Sequence, residues 1–419
     1  MQTGPCAIAV AALLCGAPPV LAADDAVAVR VELTHKDPGR FNRPLVTISA
    51  CMQQPEPGGK GCVEVPNVLL DTGSTGLLLR RSALKALDGL TPPDQYKYAY
   101  CARFENAVIW GAVEQAWIGL GDRHTDAPIA IALFDWELSD PPPGCRPHGG
   151  SGAGAIDIVP EGVNGILGVA PLRNTCSKYA DGVCPTSDDL APYFERAATN
   201  DDPFAFSEWT GVQPPPAFEL SNPVAALPSK SNDGVVLRMD PIDAAALKSG
   251  VASGTLFLGV ERWSDELFER APDRIPLRTA PRLSAAIGMP GVPATPVRAW
   301  LDTGSANIVA PAQCDPQRQS ASAVPSLQLP VFFAGHNDGI KRKISGPYFV
   351  DVAKTGSAAI DARPPHALAT SFEGKDVLLL GMPFFYGRTI AFVLPEDPLS
   401  VSDRTPETGY LLISGGPAE

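Results

Sequence analysis

The chain has 419 residues and a formal net charge of −13, a balance that repels phosphate backbones and argues against nucleic acid as a partner. That length exceeds the usual size of one domain, so two units with separate cores are expected. Its 39 glycines and 44 prolines fit many short strands joined by turns and exclude a mainly helical protein; the expected class is all-β.

Residues 6–22 form an apolar stretch ending in Val20-Leu21-Ala22-Ala23. Small residues there fit signal cleavage after Ala22, so residues 1–22 read as a signal peptide. Met1 to Pro5 carry no Lys or Arg, and a retained anchor is the alternative. Cys15 offers a lipoprotein reading, but Leu14 precedes it where a small residue is expected. No later run reaches about 18 apolar residues, the length of a membrane span. The product is expected to be exported, periplasmic or secreted, with no membrane contact beyond the signal segment. Few residues separate the cleavage site from the first strand, so a long N-terminal prosegment is not expected.

Seven cysteines follow the signal, and export favours disulfides. Cys51 and Cys62 flank a Pro/Gly-rich loop between two strand-like runs, which reads as a hairpin stapled near its ends. Cys176 and Cys184 close a second local loop. Cys101 with Cys145 is a further pairing left open, and Cys314 is then either a free buried thiol or a sign of different pairing. There is no Cys-x-x-Cys, and His35, His124, His148, His336 and His366 are scattered, so neither a metal nor a cofactor is expected. A Gly-x-Ser-x-Gly elbow and a phosphate-cradling glycine loop are also missing from the sequence.

In chain order, residues 27–34 alternate like a strand, and the stapled hairpin then leads through Val68-Leu69-Leu70 to Asp71-Thr72-Gly73-Ser74. Residues 75–79 and 83–87 are apolar enough to pack behind that loop, with a short helical turn. Two β-rich runs within 96–111 meet at a hairpin tip, Glu105-Asn106. Residues 139–155 read as a surface loop. Asn164-Gly165-Ile166-Leu167-Gly168-Val169-Ala170 is an apolar strand with a glycine. Residues 188–198 carry a helical pattern through Leu190, Tyr193, Phe194 and Ala197. Residues 200–234, with Pro214-Pro215-Pro216, read as an insertion. Strands at 235–239 and 255–260 flank a helical turn at 243–248. Beyond Trp263, residues 297–301 deliver Asp302-Thr303-Gly304-Ser305. Further strands are expected at 331–333, 348–352, 377–381, 389–394 and 411–413.

The two Asp-Thr-Gly-Ser loops lie 231 positions apart (302 minus 71). Each follows an apolar run and is followed by an apolar-Gly strand, at Gly168 (168 minus 71, 97 positions) and Gly381 (381 minus 302, 79 positions). The chain therefore reads as two diverged halves. A pair of unrelated turn aspartates is the plainer alternative for Asp71 and Asp302.

These loops and strands resemble those of the pepsin-like aspartic peptidases, over nearly the whole chain beyond residue 22, and most of all a largely uncharacterised bacterial branch. Residues 253–260, with Ile275-Pro276-Leu277, resemble the stretch that joins the two pepsin lobes. The resemblance implies a bilobal all-β fold with a central cleft, an N-terminal lobe at 23–262 and a C-terminal lobe at 263–419. It implies an aspartic endopeptidase, a hydrolase acting on peptide or protein substrates, and a monomer. Thr72 and Thr303 would hydrogen-bond to the opposite loop's backbone, and Ser74 and Ser305 would bond the outer carboxylate oxygens. A flap hairpin would bear a tyrosine, for which Tyr100 is the candidate and Phe104 the alternative. Leu77, Leu78 and Leu79 stand where many pepsins have a tryptophan.

Two carboxylates held close supply both needs of metal-free peptide hydrolysis. One, ionised, takes a proton from the attacking water; the other, protonated, polarises the scissile carbonyl. Like charges cannot easily coexist, so one proton is shared and the titration belongs to the pair. Gly73 and Gly304 permit tight turns and close approach of the loops, and Gly168 and Gly381 read as supports behind them. The alternative function is a catalytically weak or inactive peptide-binding protein on the same scaffold. A processing peptidase with few substrates is a third reading.

Overall fold

The computed structural model describes residues 25–34, 40–56, 61–92, 95–104, 107–135, 138, 141–146, 159–179, 182–196, 208–268, 274–277, 282–289, 292–309, 326–335, 343–353, 377–395 and 409–414. The signal segment 1–22 and Cys314 lie outside them.

Strands dominate the described residues of the chain. Its first half forms β1 (Ala26–Glu32), β2 (Pro44–Cys51), β3 (Cys62–Asp71), β4 (Thr75–Arg80), β5 (Tyr98–Arg103), β6 (Val108–Leu120), β7 (Arg123–His124), β8 (Ile129–Phe134), β9 (Gly165–Val169), β10 (Tyr193–Glu195), β11 (Thr210–Gly211), β12 (Gly234–Met239) and β13 (Val251–Leu258). The second half forms β14 (Arg274–Pro276), β15 (Arg282–Met289), β16 (Val292–Leu301), β17 (Ser326–Gly335), β18 (Lys343–Ala353), β19 (Val377–Leu380), β20 (Thr389–Val393) and β21 (Tyr410–Ser414). The α-helices among the described residues are short, α1 (Ala244–Ser249) and α2 (Val260–Leu267). Asp243 caps α1 by accepting from the Ala246 N–H at 2.7 Å, and Gly250 ends it in the left-handed region.

Sixteen strands join through one hydrogen-bonded network in the order β11-β10-β5-β6-β8-β4-β9-β3-β2-β1-β13-β12-β20-β21-β14, with β7 on β6. The other five form the sheet β18-β17-β15-β16-β19. In the stretch β1-β13-β12-β20-β21-β14, strands from both ends of the chain pair antiparallel. One continuous apolar cluster runs from Val27 through Leu70 and Leu167 to Leu301, Leu380 and Ile413, so the core passes beneath both Asp-Thr-Gly-Ser loops.

Three disulfides staple the first half: Cys51–Cys62, Cys101–Cys145 and Cys176–Cys184. The first closes the β2–β3 hairpin, where the two cysteines are register partners. Such bonds persist in oxidising surroundings. Among the described residues no helix is long and apolar enough to cross a membrane.

The helical reading of residues 188–198 is corrected by β10, which pairs Tyr193 with Tyr100 and Glu195 with Tyr98. Tyr193 and Phe194 enter different apolar clusters, as neighbours on a strand must when successive side chains face opposite ways. Pro192 immediately before them also disfavours helix in the preceding residue. Leu190, expected on the buried helix face, is 63% exposed.

Candidate active site

Each aspartate sits where a strand of one half ends beside a parallel neighbour. β3 carries Asp71 and pairs with β9 in the register Asp71↔Gly168. β16 leads to Asp302 and pairs with β19 in the register Leu301↔Leu380, and the Asp302 N–H donates to the Leu380 carbonyl at 3.0 Å. Returning strands repeat the match. Leu78, seven positions after Asp71, faces Ile166, two before Gly168; Val309, seven after Asp302, faces Leu379, two before Gly381. The repeat in the sequence is thus a repeat in space.

The two loops are cross-tied by their threonines. Thr72 N–H donates to Thr303 Oγ1 at 3.1 Å, and Thr303 N–H donates to Thr72 Oγ1 at 3.1 Å. Each hydroxyl then donates onward, Thr72 to the Leu301 carbonyl at 3.0 Å and Thr303 to the Leu70 carbonyl at 2.6 Å. Both threonines are fully buried, so these four bonds satisfy backbone groups that water cannot reach. The bonds tie the two loops to each other, a reciprocity that two unrelated turn aspartates do not require.

Within each loop the carboxylate is held at both oxygens. Asp71 accepts from the Gly73 N–H at 2.7 Å and the Ser74 hydroxyl at 2.6 Å. Asp302 accepts from the Gly304 N–H at 2.8 Å and the Ser305 hydroxyl at 2.7 Å. A methyl group on Gly73 would stand 2.7 Å from the Asp302 carboxyl carbon, and one on Gly304 would stand 3.0 Å from that of Asp71. Glycine at these positions is what lets each loop reach the other's carboxylate. Gly168 and Gly381 sit behind, where an added Cβ would meet the Ser74 and Ser305 carbonyls at 2.8 and 2.6 Å. Those carbonyls accept from the Ala170 and Met382 N–H groups, both at 2.8 Å.

Asp71 is buried, whereas Asp302 keeps part of its surface open, so the pair is enclosed yet reachable. Burial, then the charge of Asp71 and a hydrogen bond with it, push Asp302 well above the usual carboxylate range; the donors on Ser305 and Gly304 oppose that rise. The arrangement is two neighbouring carboxyl groups, of which Asp302 is biased toward its protonated form. It can offer a base and an acid to one substrate at once.

Three residues that the sequence reading did not single out complete the surroundings. Asn42 donates to the Ala306 carbonyl at 2.5 Å, directly after Ser305, and accepts from the Tyr386 hydroxyl at 2.5 Å. Burial lowers the guanidinium of Arg43, beside it, below the ordinary value, and the nearby charges of Asp302 and Asp71 oppose that fall. The Asn-Arg dipeptide at 42–43 carries no pattern that marks it, and Tyr386 is one aromatic among several.

The flap expectation is corrected. Tyr100 is 5% exposed, its ring 5.0 Å from that of Tyr193, inside an apolar cluster against which Phe104 also packs. The hairpin itself forms, with Arg103 opposite Val108, but Tyr100 and its register partner Tyr193 on β10 both point into that apolar cluster. Burial pushes its hydroxyl above the ordinary tyrosine value. No metal site is supported among the described residues: the one cluster of ligand-type side chains, Cys51, Cys62 and His124, has its two sulfurs joined in a disulfide.

Residues 22–406 match the family model described as "Protein of unknown function (DUF3443)", and the chain belongs to that family. No curated protein matches. Among solved structures, the aspartic proteinase from Irpex lacteus is 12% identical, over 93% of this chain and 97% of that one, with a TM-score of 0.48. A likeness that distant carries no argument about chemistry, which rests on this chain's own residues.

Proposed function

We propose that the protein is an exported aspartic endopeptidase. Its two halves, 23–262 and 263–419, would act as lobes of a pepsin-like fold, with Asp71 and Asp302 as the catalytic pair between them. The observation that carries this is the reciprocal tie of Thr72 and Thr303, which brings two carboxyl groups with matched donors together. Structural packing alone does not call for two acidic groups enclosed side by side, which raises the cost of ionising them.

In the mechanism, the ionised member takes a proton from a water bound between the carboxyls. That water attacks the peptide carbon, while the protonated member donates to the carbonyl oxygen. Collapse of the tetrahedral species passes a proton to the leaving amine, and the shared proton returns to the pair. No acyl-enzyme forms. Ser74 and Ser305 hold the outer oxygens, so the inner ones face the substrate.

One observation favours the second reading, a peptide-binding protein with weak or no activity: both flap candidates, Tyr100 and Phe104, are engaged in a core cluster. The test is digestion of a mixed peptide library by the mature protein from about pH 3 to about pH 7. Endoproteolytic products in the acidic range are expected. Retention of peptides by a folded protein that cleaves none would favour binding.

A further inference from the structure

The segment before β2 does more than lead into a strand. Asn42 is wholly buried and holds the left-handed backbone conformation at φ 54°, which asparagine tolerates better than most residues. Its N–H donates to the Glu32 carbonyl at 2.7 Å, and Glu32 is itself gripped by Arg40 at 2.6 Å. The backbone of Asn42 is thus fastened to the end of β1. Its side chain reaches the other half of the molecule. The amide donates to the Ala306 carbonyl, and the amide oxygen accepts from the half-buried Tyr386, in the turn after β19. One side chain therefore links the loop that bears Asp302 to a fixed point in the first half.

We infer that Asn42 is a positioning residue for the second aspartate: it holds the Asp302 loop at the depth where the two carboxyl groups meet. This inference rests on the peptidase reading of that site. The threonine ties set the spacing of the loops at their turns; Asn42 sets the exit of the second loop, one residue beyond Ser305. With the amide removed, the Ala306 carbonyl loses its donor, and the loop is free to shift relative to Asp71. A displacement of about 1 Å in a reacting group is enough to lower turnover about a hundredfold.

Two variants of the full mature chain test it. Asn42→Gly keeps the backbone conformation and deletes both side-chain bonds. Amide hydrogen exchange in residues 302–309 is expected to speed up at least about tenfold, while residues 71–80 exchange as before. Unchanged exchange in 302–309 overturns the inference, whatever the protein cleaves. On a cleaved peptide, kcat of Asn42→Gly is expected to fall about a hundredfold with KM little changed; a fall in substrate affinity alone also overturns it. Asn42→Asp supplies the sharper readout. Protonated, its carboxyl can donate to Ala306 and accept from Tyr386, so activity near that of the wild type is expected at the acid end. Ionised, it has no proton to donate, and activity is expected to fall as the pH rises, creating a limb that the wild type lacks. The charged and titratable groups around it are Glu32 and Arg40 on the β1 side, Arg43 beside it, and Tyr386, Asp302 and Asp71 toward the site. A profile parallel to the wild type would count against a positioning role. A wild type that cleaves no peptide refutes the peptidase reading, and the exchange experiment still decides the role of Asn42.

Discussion

At the scale of single residues, the site is a balance between enclosing two carboxyl groups and keeping one of them ionisable. Arg43 bears on that balance because its charge lies near both Asp302 and Asp71. A cation favours carboxylate over carboxylic acid, so Arg43→Gln should raise the apparent ionisations of the pair. The pH profile of kcat/KM is expected to move to higher pH; a shift the other way would remove Arg43 from the electrostatics of the site. Asp302 illustrates the converse cost. Its pKa in the fold lies above that in the unfolded chain, so it favours the fold below the ordinary carboxylate value of about 3.9 and penalises it as the pH rises through the folded value. Asp302→Asn should therefore abolish cleavage yet raise Tm by a few degrees at neutral pH, with the gain vanishing in acid. Thermal melts at the two pH values check this, and an equal gain at both would contradict the assignment.

At the scale of elements, strand ends and staples place the reacting groups. Cys51–Cys62 closes the hairpin whose second strand carries Asp71. Cys101–Cys145 spans 44 positions against eight for Cys176–Cys184, and the entropy removed from the unfolded chain grows with loop length. Replacing each pair by serine should cost about 2–4 kcal/mol, with Cys101–Cys145 the largest loss; urea denaturation of the three variants checks the order. What could be read from the sequence follows the same logic of distance. The aspartate loops, their glycines and the short cysteine pairs are contiguous or local, so their residues announce them. The 101–145 bond stayed open because a longer loop leaves more partners. Asn42 escaped notice because its contacts lie 264 and 344 positions away. Tyr100 misled because strand alternation says that a side chain faces one way, and not that an apolar cluster fills that face. Tyr193 and Phe194 misled because apolar neighbours fit a helix pattern until their separate clusters are seen.

At the scale of the whole molecule, the two halves are joined by more than the loops. The stretch β1-β13-β12-β20-β21-β14 places strands of the second half directly on β12, and the main apolar cluster is continuous across both. A chain cut after residue 262 would keep Asp71 but expose the edge of β12, and unpaired edges invite self-association. Residues 23–262 expressed alone should therefore aggregate or dimerise on size exclusion, whereas a well-behaved monomer would show that the halves are independent. The same joining makes one site from two loops, which is the central claim. Its most direct measurement compares the cleavage rates of Asp71→Asn, Asp302→Asn and the double variant on one peptide, with folding checked for each. If the two aspartates act as one unit, each single change removes nearly all activity, at least about a thousandfold, and the double variant is no worse than either. Losses that multiply in the double variant, or a single variant that keeps its activity, would contradict a shared catalytic pair.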